Sequence, residues 1–149
     1  VDCPGHSSLL KTIIGGAQII DFMLLVIDAT KLVQAQTDEC IVLGEAVLKS
    51  NEQIIVVLNK IDLFPKTRLK QCILDAEREL KSHFKGTKFE HANIVPISAT
   101  SAKIEKDLEP LDDGIENLKN VLCSQIQIPQ RKASGSFFLS VDHCFPLKG

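Results

Sequence analysis

The chain has 149 residues, of which 44% are hydrophobic and 24% are charged, and its formal net charge is −2. These proportions are ordinary for a globular protein, and the length allows one domain, or a truncated domain joined to part of another. A charge so close to neutral excludes a global basic field for nucleic acid, so an RNA partner would have to bind at a local site.

The five cysteines are scattered along the chain without a Cys-x-x-Cys pair. This spacing argues against a structural zinc site and against a disulfide framework, and it is typical of proteins of the reduced cytosol. No apolar run approaches the roughly 20 residues that a membrane-spanning helix needs. We therefore expect a cytoplasmic protein with no membrane partner.

The first chemical signal along the chain is Asp-x-x-Gly followed by His, formed by Asp2, Gly5 and His6. In a nucleotide switch, such an Asp holds a water on the Mg²⁺ of the nucleotide, and the Gly N–H contacts the γ-phosphate. The next side chain, here His6, would orient the attacking water, because phosphoryl transfer depends mostly on positioning and charge stabilisation. The alternative is a surface histidine beside a turn.

A phosphate-binding G-x-x-x-x-G-K-[ST] loop does not occur in these 149 residues. We therefore interpret the sequence as part of a longer nucleotide-switch protein, and we expect residues 1–149 alone to lack catalytic activity. A parallel sheet without its first strands would expose an apolar edge and an open helix-packing face, so the isolated chain is expected to fold poorly.

Three short apolar runs, at residues 23–27, 54–58 and 94–97, are predicted strands. They are rich in β-branched residues and do not alternate with polar ones, which is typical of parallel strands that are buried on both faces. Pro96 cannot donate a hydrogen bond to a neighbouring strand. The third strand is therefore predicted to lie near an edge, or to end at this residue.

Apolar residues at steps of three and four predict helices between and after these strands. The alternation of strands and helices indicates right-handed crossovers and a doubly wound, mostly parallel α/β sheet. The predicted apolar faces are formed by Ile41, Gly44, Val47 and Leu48 behind a cap at Thr37; by Leu69, Ile73, Ala76, Leu80 and Phe84; and by Ile115, Leu118, Leu122 and Ile126 behind an acidic start at Asp112 and Asp113.

The composition changes near the carboxyl end of the chain. Residues 129–135 are polar and contain Pro and Gly, whereas residues 136–145 have the pattern of a strand. We interpret residues 1–128 as the carboxyl-terminal part of a nucleotide-binding domain, residues 129–135 as a linker, and residues 136–149 as the start of a second, β-barrel domain.

The sequence Asn59-Lys60-Ile61-Asp62 follows directly on the second predicted strand. Ligands bind at the carboxyl ends of strands in open α/β sheets. The Asp62 carboxylate can accept both the N1–H and the N2–H of guanine, which adenine does not offer, while Asn59 can bond the N7 side and the Lys60 stem can lie over the base. The alternative is a turn with Asn and Asp as capping residues.

Ser98 and Ala99 follow the third predicted strand. In the same order of motifs, their backbone N–H groups would reach the O6 of guanine. Small residues in an ordinary strand-to-loop turn are the alternative. Together, the motifs predict a site for GTP or GDP with Mg²⁺.

These motifs, in this order and followed by a linker to a β-domain, resemble the translational GTPases, which have a P-loop α/β domain followed by β-barrels. Four stretches are similar to the eukaryotic selenocysteine-specific elongation factors. They are residues 12–21, which contain Gly-Gly-Ala-Gln-Ile-Ile-Asp, then Leu25–Asp28, the pair Gln36-Thr37, and residues 140–145. At Leu32, however, the family usually has Gly. A turn that needs a positive φ would be strained by Leu.

The resemblance implies a GTP-hydrolysing carrier that delivers selenocysteinyl-tRNA to the ribosome at recoded UGA codons. It also implies a selenocysteine insertion RNA element and its binding protein as partners, contacted through regions outside these residues. Asp142 and His143 match the family's selenocysteine pocket, where His143 could donate to the selenolate and Asp142 could orient or charge it. The alternatives are a gamma subunit of initiation factor 2 that carries initiator tRNA, and a non-catalytic fragment that acts only through protein contacts.

Overall fold

The computed structural model describes residues 20–100 and 114–128, together with residues 134 and 136. Its centre is a three-stranded parallel sheet with the strand order β1 (Met23–Asp28), β2 (Ile54–Asn59) and β3 (Asn93–Pro96). The three predicted strands are confirmed to within one residue at each end. Pro96 ends β3, and β3 is an edge strand of the described sheet, so both expectations from its missing N–H are confirmed.

Within the described residues, three α-helices accompany the sheet, namely α1 (Ala35–Val47), α2 (Leu69–Phe84) and α3 (Gly114–Gln125). Each contains most of the apolar face that its spacing predicts, although Leu48 is the residue after α1, and Ile126 lies just beyond α3 and is 49% exposed. The predicted cap at Thr37 is wrong, because α1 begins at Ala35. Thr37 is instead the third residue of the helix, where its Oγ1 accepts the Gln34 N–H at 3.3 Å, as in one half of a capping box.

The helices cover both faces of the sheet, as a doubly wound fold requires. One face of β2 packs into a core with α1 and α2, while Ile55 and Val57 on its other face pack with the apolar residues of α3. Leu24 and Val26 pair in register with these two residues, yet they are 45% and 61% exposed. The helices that the structure describes therefore leave these two side chains of β1 largely uncovered.

The predicted linker and second domain, at residues 129–149, lie outside the described residues apart from residues 134 and 136, and so does the predicted acidic start of α3 at residues 112–113. Of the helices that the structure describes, none combines the length and the apolarity needed to span a bilayer.

Gly44 of α1 is buried at a close approach between the helix and the core. A Cβ atom at this position would lie 3.0 Å from Cε2 of Phe89 and 3.1 Å from Cε of Met23. Phe89 is fully buried, so its ring cannot move aside without disturbing its other neighbours. Glycine is therefore required here by packing.

We expect Gly44→Val to lower the free energy of unfolding by about 2–3 kcal/mol, because it adds three carbons to a filled core. Urea denaturation of the full-length protein measures the loss. Ala46→Val is the matched control, since Ala46 is exposed on the same helix and only helix propensity, about 0.5 kcal/mol, is lost there. Equal losses for the two variants would show that the close approach does not constrain residue 44.

Candidate functional site

The carboxyl ends of the three strands are joined by backbone hydrogen bonds. Ala29 N–H donates to the Asn59 carbonyl at 2.8 Å, and Ile97 N–H donates to the Leu58 carbonyl at 2.8 Å. Ile61 N–H donates to the Ile97 carbonyl at 3.4 Å. Because these bonds link the segments that follow β1, β2 and β3, the three loops meet at one edge of the sheet, where ligands bind in open α/β folds.

Asn59 connects two of these loops through its side chain. Its Oδ1 accepts the N–H of Lys60 at 2.8 Å and the N–H of Ala99 at 3.1 Å. The two bonds fix the orientation of the amide, with the carbonyl oxygen directed to the protein backbone. The Nδ2 group makes no hydrogen bond to the residues that the structure describes, and it can donate to an acceptor such as purine N7.

Asp62 is brought to Ser98 across 36 residues of sequence. Ser98 Oγ donates to Asp62 Oδ1 at 2.6 Å and lies 3.2 Å from Thr100 Oγ1. Ser98 is buried, whereas Asp62 is exposed on the short 3₁₀ turn Ile61–Leu63. The buried hydroxyl therefore holds an exposed carboxylate in one orientation, which is the arrangement needed to recognise two adjacent N–H donors.

The Ala99 N–H is predicted from the sequence to reach guanine O6. In the structure this N–H donates to Asn59 Oδ1 at 3.1 Å. It would contact a ligand only if the Asn59 amide shifted or if the donor were shared between the two acceptors. The contact of Ser98 and Ala99 with O6 stays a prediction.

Lys60 follows Asn59 and has a left-handed backbone, with φ 68° and ψ 33°. Its Nζ donates to Asp28 Oδ2 at 2.7 Å. Sequence reasoning missed Asp28, although Asp28 ends β1 just as Asn59 ends β2, and the rule that strand ends carry ligand-binding residues could have identified it.

Leu32 lies in the loop that follows β1, with φ 51°. The backbone therefore has the positive φ that the family's usual glycine would adopt freely, and Leu32 adopts it with strain. The N–H groups of Lys31 and Leu32 both donate to the Asp28 carbonyl, at 3.1 and 2.9 Å, and close the turn. The Leu32 side chain packs against the main core, and this contact offsets part of the backbone strain.

The remaining predicted site residues, Asp2, Gly5, His6, Asp142 and His143, lie outside the described residues. Their roles stay predictions, and so does the Mg²⁺ site at Asp2. Within residues 20–100 and 114–128, no group of three or more His, Cys, Asp or Glu side chains could hold a metal ion.

Comparison with known proteins identifies relatives of the whole chain. The family model of the elongation factor Tu GTP binding domain matches residues 1–128. The selenocysteine-specific elongation factor of Mus musculus is 46% identical over 149 residues, which are 100% of this chain and 25% of that protein. The gamma subunit of translation initiation factor 2 from Haloquadratum walsbyi is 35% identical over 137 residues, which are 91% of this chain and 30% of that protein.

Solved structures of similar proteins have the same fold. Elongation factor SelB from Methanococcus maripaludis, in complex with the GTP analogue GppNHp, has a TM-score of 0.68 and 29% identity over 90% of this chain and 27% of its own. A bacterial selenocysteine-specific elongation factor has a TM-score of 0.61 and 27% identity over 82% of this chain and 18% of its own. The chain spans 25% of the length of the mouse protein.

Proposed function

Because the chain belongs to the elongation factor Tu GTP binding domain family, we propose that it binds guanine nucleotides through Asn59, Lys60 and Asp62 and switches by GTP hydrolysis. The observation that carries this proposal is the Asp62 carboxylate, which is exposed at the carboxyl edge of the sheet and oriented by the buried Ser98 hydroxyl. The similar SelB structure contains a GTP analogue, which supports the same ligand class here.

The arrangement suits guanine better than adenine for a specific chemical reason. An ionised carboxylate only accepts hydrogen bonds, and guanine presents two donors, N1–H and N2–H, on one edge. Adenine has an acceptor at N1 and no donor at C2, so it would leave the carboxylate unpaired. A site that is built to hydrogen-bond one ligand rejects an analogue that lacks the matching groups.

The phosphate side of the proposed site is formed by Asp2, Gly5 and His6. Asp2 would hold the nucleotide's Mg²⁺ through a water, and the ion would neutralise charge on the phosphate oxygens when it is bound. The Gly5 N–H would contact the γ-phosphate, and His6 would orient the attacking water.

We expect His6→Ala to slow single-turnover GTP hydrolysis by about 10²-fold, because a water displaced by about 1 Å loses its attacking geometry. GTP affinity should change little, since His6 contacts the water rather than the nucleotide. His91→Ala is the matched control, because His91 is exposed just before the start of β3, at the opposite end of the sheet. An unchanged hydrolysis rate in the His6 variant would remove His6 from the catalytic role.

The finer proposal is that this translational GTPase delivers selenocysteinyl-tRNA to the ribosome, in the cytoplasm, at recoded UGA codons. Its support is the 46% identity to the mouse selenocysteine-specific factor over the whole chain, against 35% to an initiation factor 2 gamma subunit over 137 residues. The selenocysteine insertion RNA element and its binding protein would be contacted through regions outside these residues.

Asp142 and His143 are proposed to form the part of the pocket that recognises the aminoacyl group. A selenol is ionised at neutral pH, whereas the serine hydroxyl is neutral. A pocket with a histidine donor would therefore favour the selenocysteinyl form, with Asp142 orienting the imidazole or raising its charge.

Protection of the aminoacyl ester from hydrolysis tests the tRNA proposal in the full-length protein with GppNHp. We expect strong protection of selenocysteinyl-tRNA and weak protection of seryl-tRNA and initiator methionyl-tRNA. His143→Ala should reduce the preference for selenocysteinyl-tRNA over seryl-tRNA by about 10-fold or more, the scale of one charge-assisted hydrogen bond. Equal protection of initiator tRNA would instead indicate an initiation-factor role, and an unchanged preference would remove His143 from the pocket.

A further inference from the structure

Asp28 has both carboxylate oxygens engaged at the edge of the sheet. Oδ1 accepts the Thr30 N–H at 2.9 Å and the Thr30 hydroxyl at 2.7 Å. Oδ2 accepts Lys60 Nζ at 2.7 Å. The bonds from Thr30 form an Asx-type turn that fixes the side chain of Asp28, so its second oxygen points to Lys60.

The strand register brings Asp28 beside Lys60. Asp28 pairs with Asn59, the residue before Lys60, and the Ala29 N–H donates to the Asn59 carbonyl at 2.8 Å. The Lys60 ammonium and the Thr30 donors hold the pKa of the Asp28 carboxyl well below its usual range. The carboxylate is therefore charged throughout the neutral pH range.

The stability of the fold does not account for this pair. The side chain of Lys60 is 52% exposed and that of Asp28 is 19% exposed, and ion pairs with such access to water contribute little to folding. Lys60 also adopts a left-handed backbone, which a residue with a Cβ atom disfavours and glycine would adopt freely. The backbone strain is thus accepted at a position where a long cationic side chain is held in place.

We propose that Asp28 is a positioning residue of the guanine site, which orders the Lys60 side chain before the nucleotide binds. The inference rests on the proposed guanine site, in which the Lys60 stem lies over the base. A free lysine stem loses conformational freedom when it packs on a ligand, and this loss weakens binding. Anchoring Nζ at Asp28 moves most of that loss to the folding of the protein.

A double-mutant cycle on the affinity for fluorescently labelled GDP tests the proposal in the full-length protein. Asp28→Asn keeps an oxygen for the Thr30 donors but removes the charge that holds Lys60. We expect it to raise the GDP Kd about 5-fold, the scale of one immobilised side chain. Lys60→Met should weaken binding further, and Asp28→Asn should then have no additional effect on it.

If Asp28 had only a structural role, Asp28→Asn would reduce the GDP affinity by the same factor in the unsubstituted protein and in the Lys60→Met variant. Such additivity, or an unchanged GDP affinity of Asp28→Asn, would overturn the proposal. Thr30→Ala is a second variant that tests the proposal if Asp28→Asn disturbs folding, because it removes only an exposed side chain. It should raise the Kd about 2-fold, and this effect should also vanish in the Lys60→Met background.

The base preference of Asp62→Asn separates failure of this inference from failure of the proposed function. If Asp62→Asn alters the preference while the Asp28 cycle is additive, the guanine site stands and only the role of Asp28 is wrong. If Asp62→Asn leaves the preference unchanged, the guanine site itself is wrong and the Asp28 proposal fails with it.

Discussion

Asp62→Asn is expected to weaken GDP binding by about 10³-fold and to admit xanthosine diphosphate in its place. Each hydrogen bond from guanine to a charged group contributes about 1.5–3 kcal/mol; one is replaced by a donor facing a donor, and the other loses its charged acceptor. A total of about 4 kcal/mol corresponds to a factor of about 10³. The new amide N–H₂ would face one of the two guanine donors, whereas the O2 of xanthine is an acceptor that this group can satisfy.

The structure indicates why the substitution should be tolerated by the fold. Ser98 Oγ donates to Asp62 Oδ1 at 2.6 Å, and an asparagine oxygen can accept the same bond. Asp62 is exposed, so no buried charge is left unpaired. The side chain should therefore keep its orientation, with the amide nitrogen at the former position of Oδ2.

Competition of GDP, xanthosine diphosphate and ADP against labelled GDP in the full-length protein measures the change. Asp75→Asn is the matched control, because Asp75 is an exposed carboxylate on α2 whose loss should not alter base preference. If Asp62→Asn and Asp75→Asn have the same preference as the unsubstituted protein, Asp62 does not bind the base.

Phe89→Ala is expected to lower the free energy of unfolding by about 4 kcal/mol. Phe89 is fully buried and belongs to the core cluster between the sheet, α1 and α2. Removal of its ring takes away apolar contacts and leaves a cavity that α1 cannot fill, because Gly44, the residue that faces the ring, has no side chain. The cost therefore includes both a transfer contribution and a cavity contribution.

Urea denaturation of the full-length protein measures this loss, with Phe64→Ala as the matched control. Phe64 packs at the margin of the same core and is only half-buried, so its truncation should cost about 1–2 kcal/mol, less than a full large-to-small core substitution. A loss at Phe89 no greater than the loss at Phe64 would contradict its place at the centre of the core.

The strands and helices can be predicted because the spacing of apolar residues along the sequence reflects which side chains are buried. The run at 54–58 has no polar residue, and β2 is buried from Ile54 to Leu58. The segment between α2 and β3 has no such period, so Phe89 is missing from the predicted core even though it is fully buried. Its burial depends on the close approach of α1 at Gly44, which is a tertiary contact.

In the candidate site, too, the positions of some residues can be predicted from the sequence, whereas their contacts cannot. The position of Asn59 and Asp62 after a buried strand, downstream of the Asp-x-x-Gly-His motif, predicts a base-binding loop at the sheet edge, and this assignment stays a prediction. The hydrogen bonds from Ser98 to Asp62 and from Lys60 to Asp28 depend on strand register and on side-chain rotamers, which single-sequence patterns do not encode. The positive φ at Leu32 cannot be predicted from the leucine itself, and only the glycine that the family usually has there points to such a turn.

We propose that the loops after β2 and β3 bind guanine through the Asp62 carboxylate. Displacement of labelled GDP from the full-length protein by GDP, inosine diphosphate and ADP tests it most directly. Inosine diphosphate keeps N1–H but lacks the N2–H₂ group, so it should bind at least about 10-fold more weakly than GDP. ADP lacks both donors and should bind about 10³-fold more weakly than GDP. If ADP and inosine diphosphate displace the labelled GDP at the same concentrations as unlabelled GDP does, Asp62 does not recognise guanine.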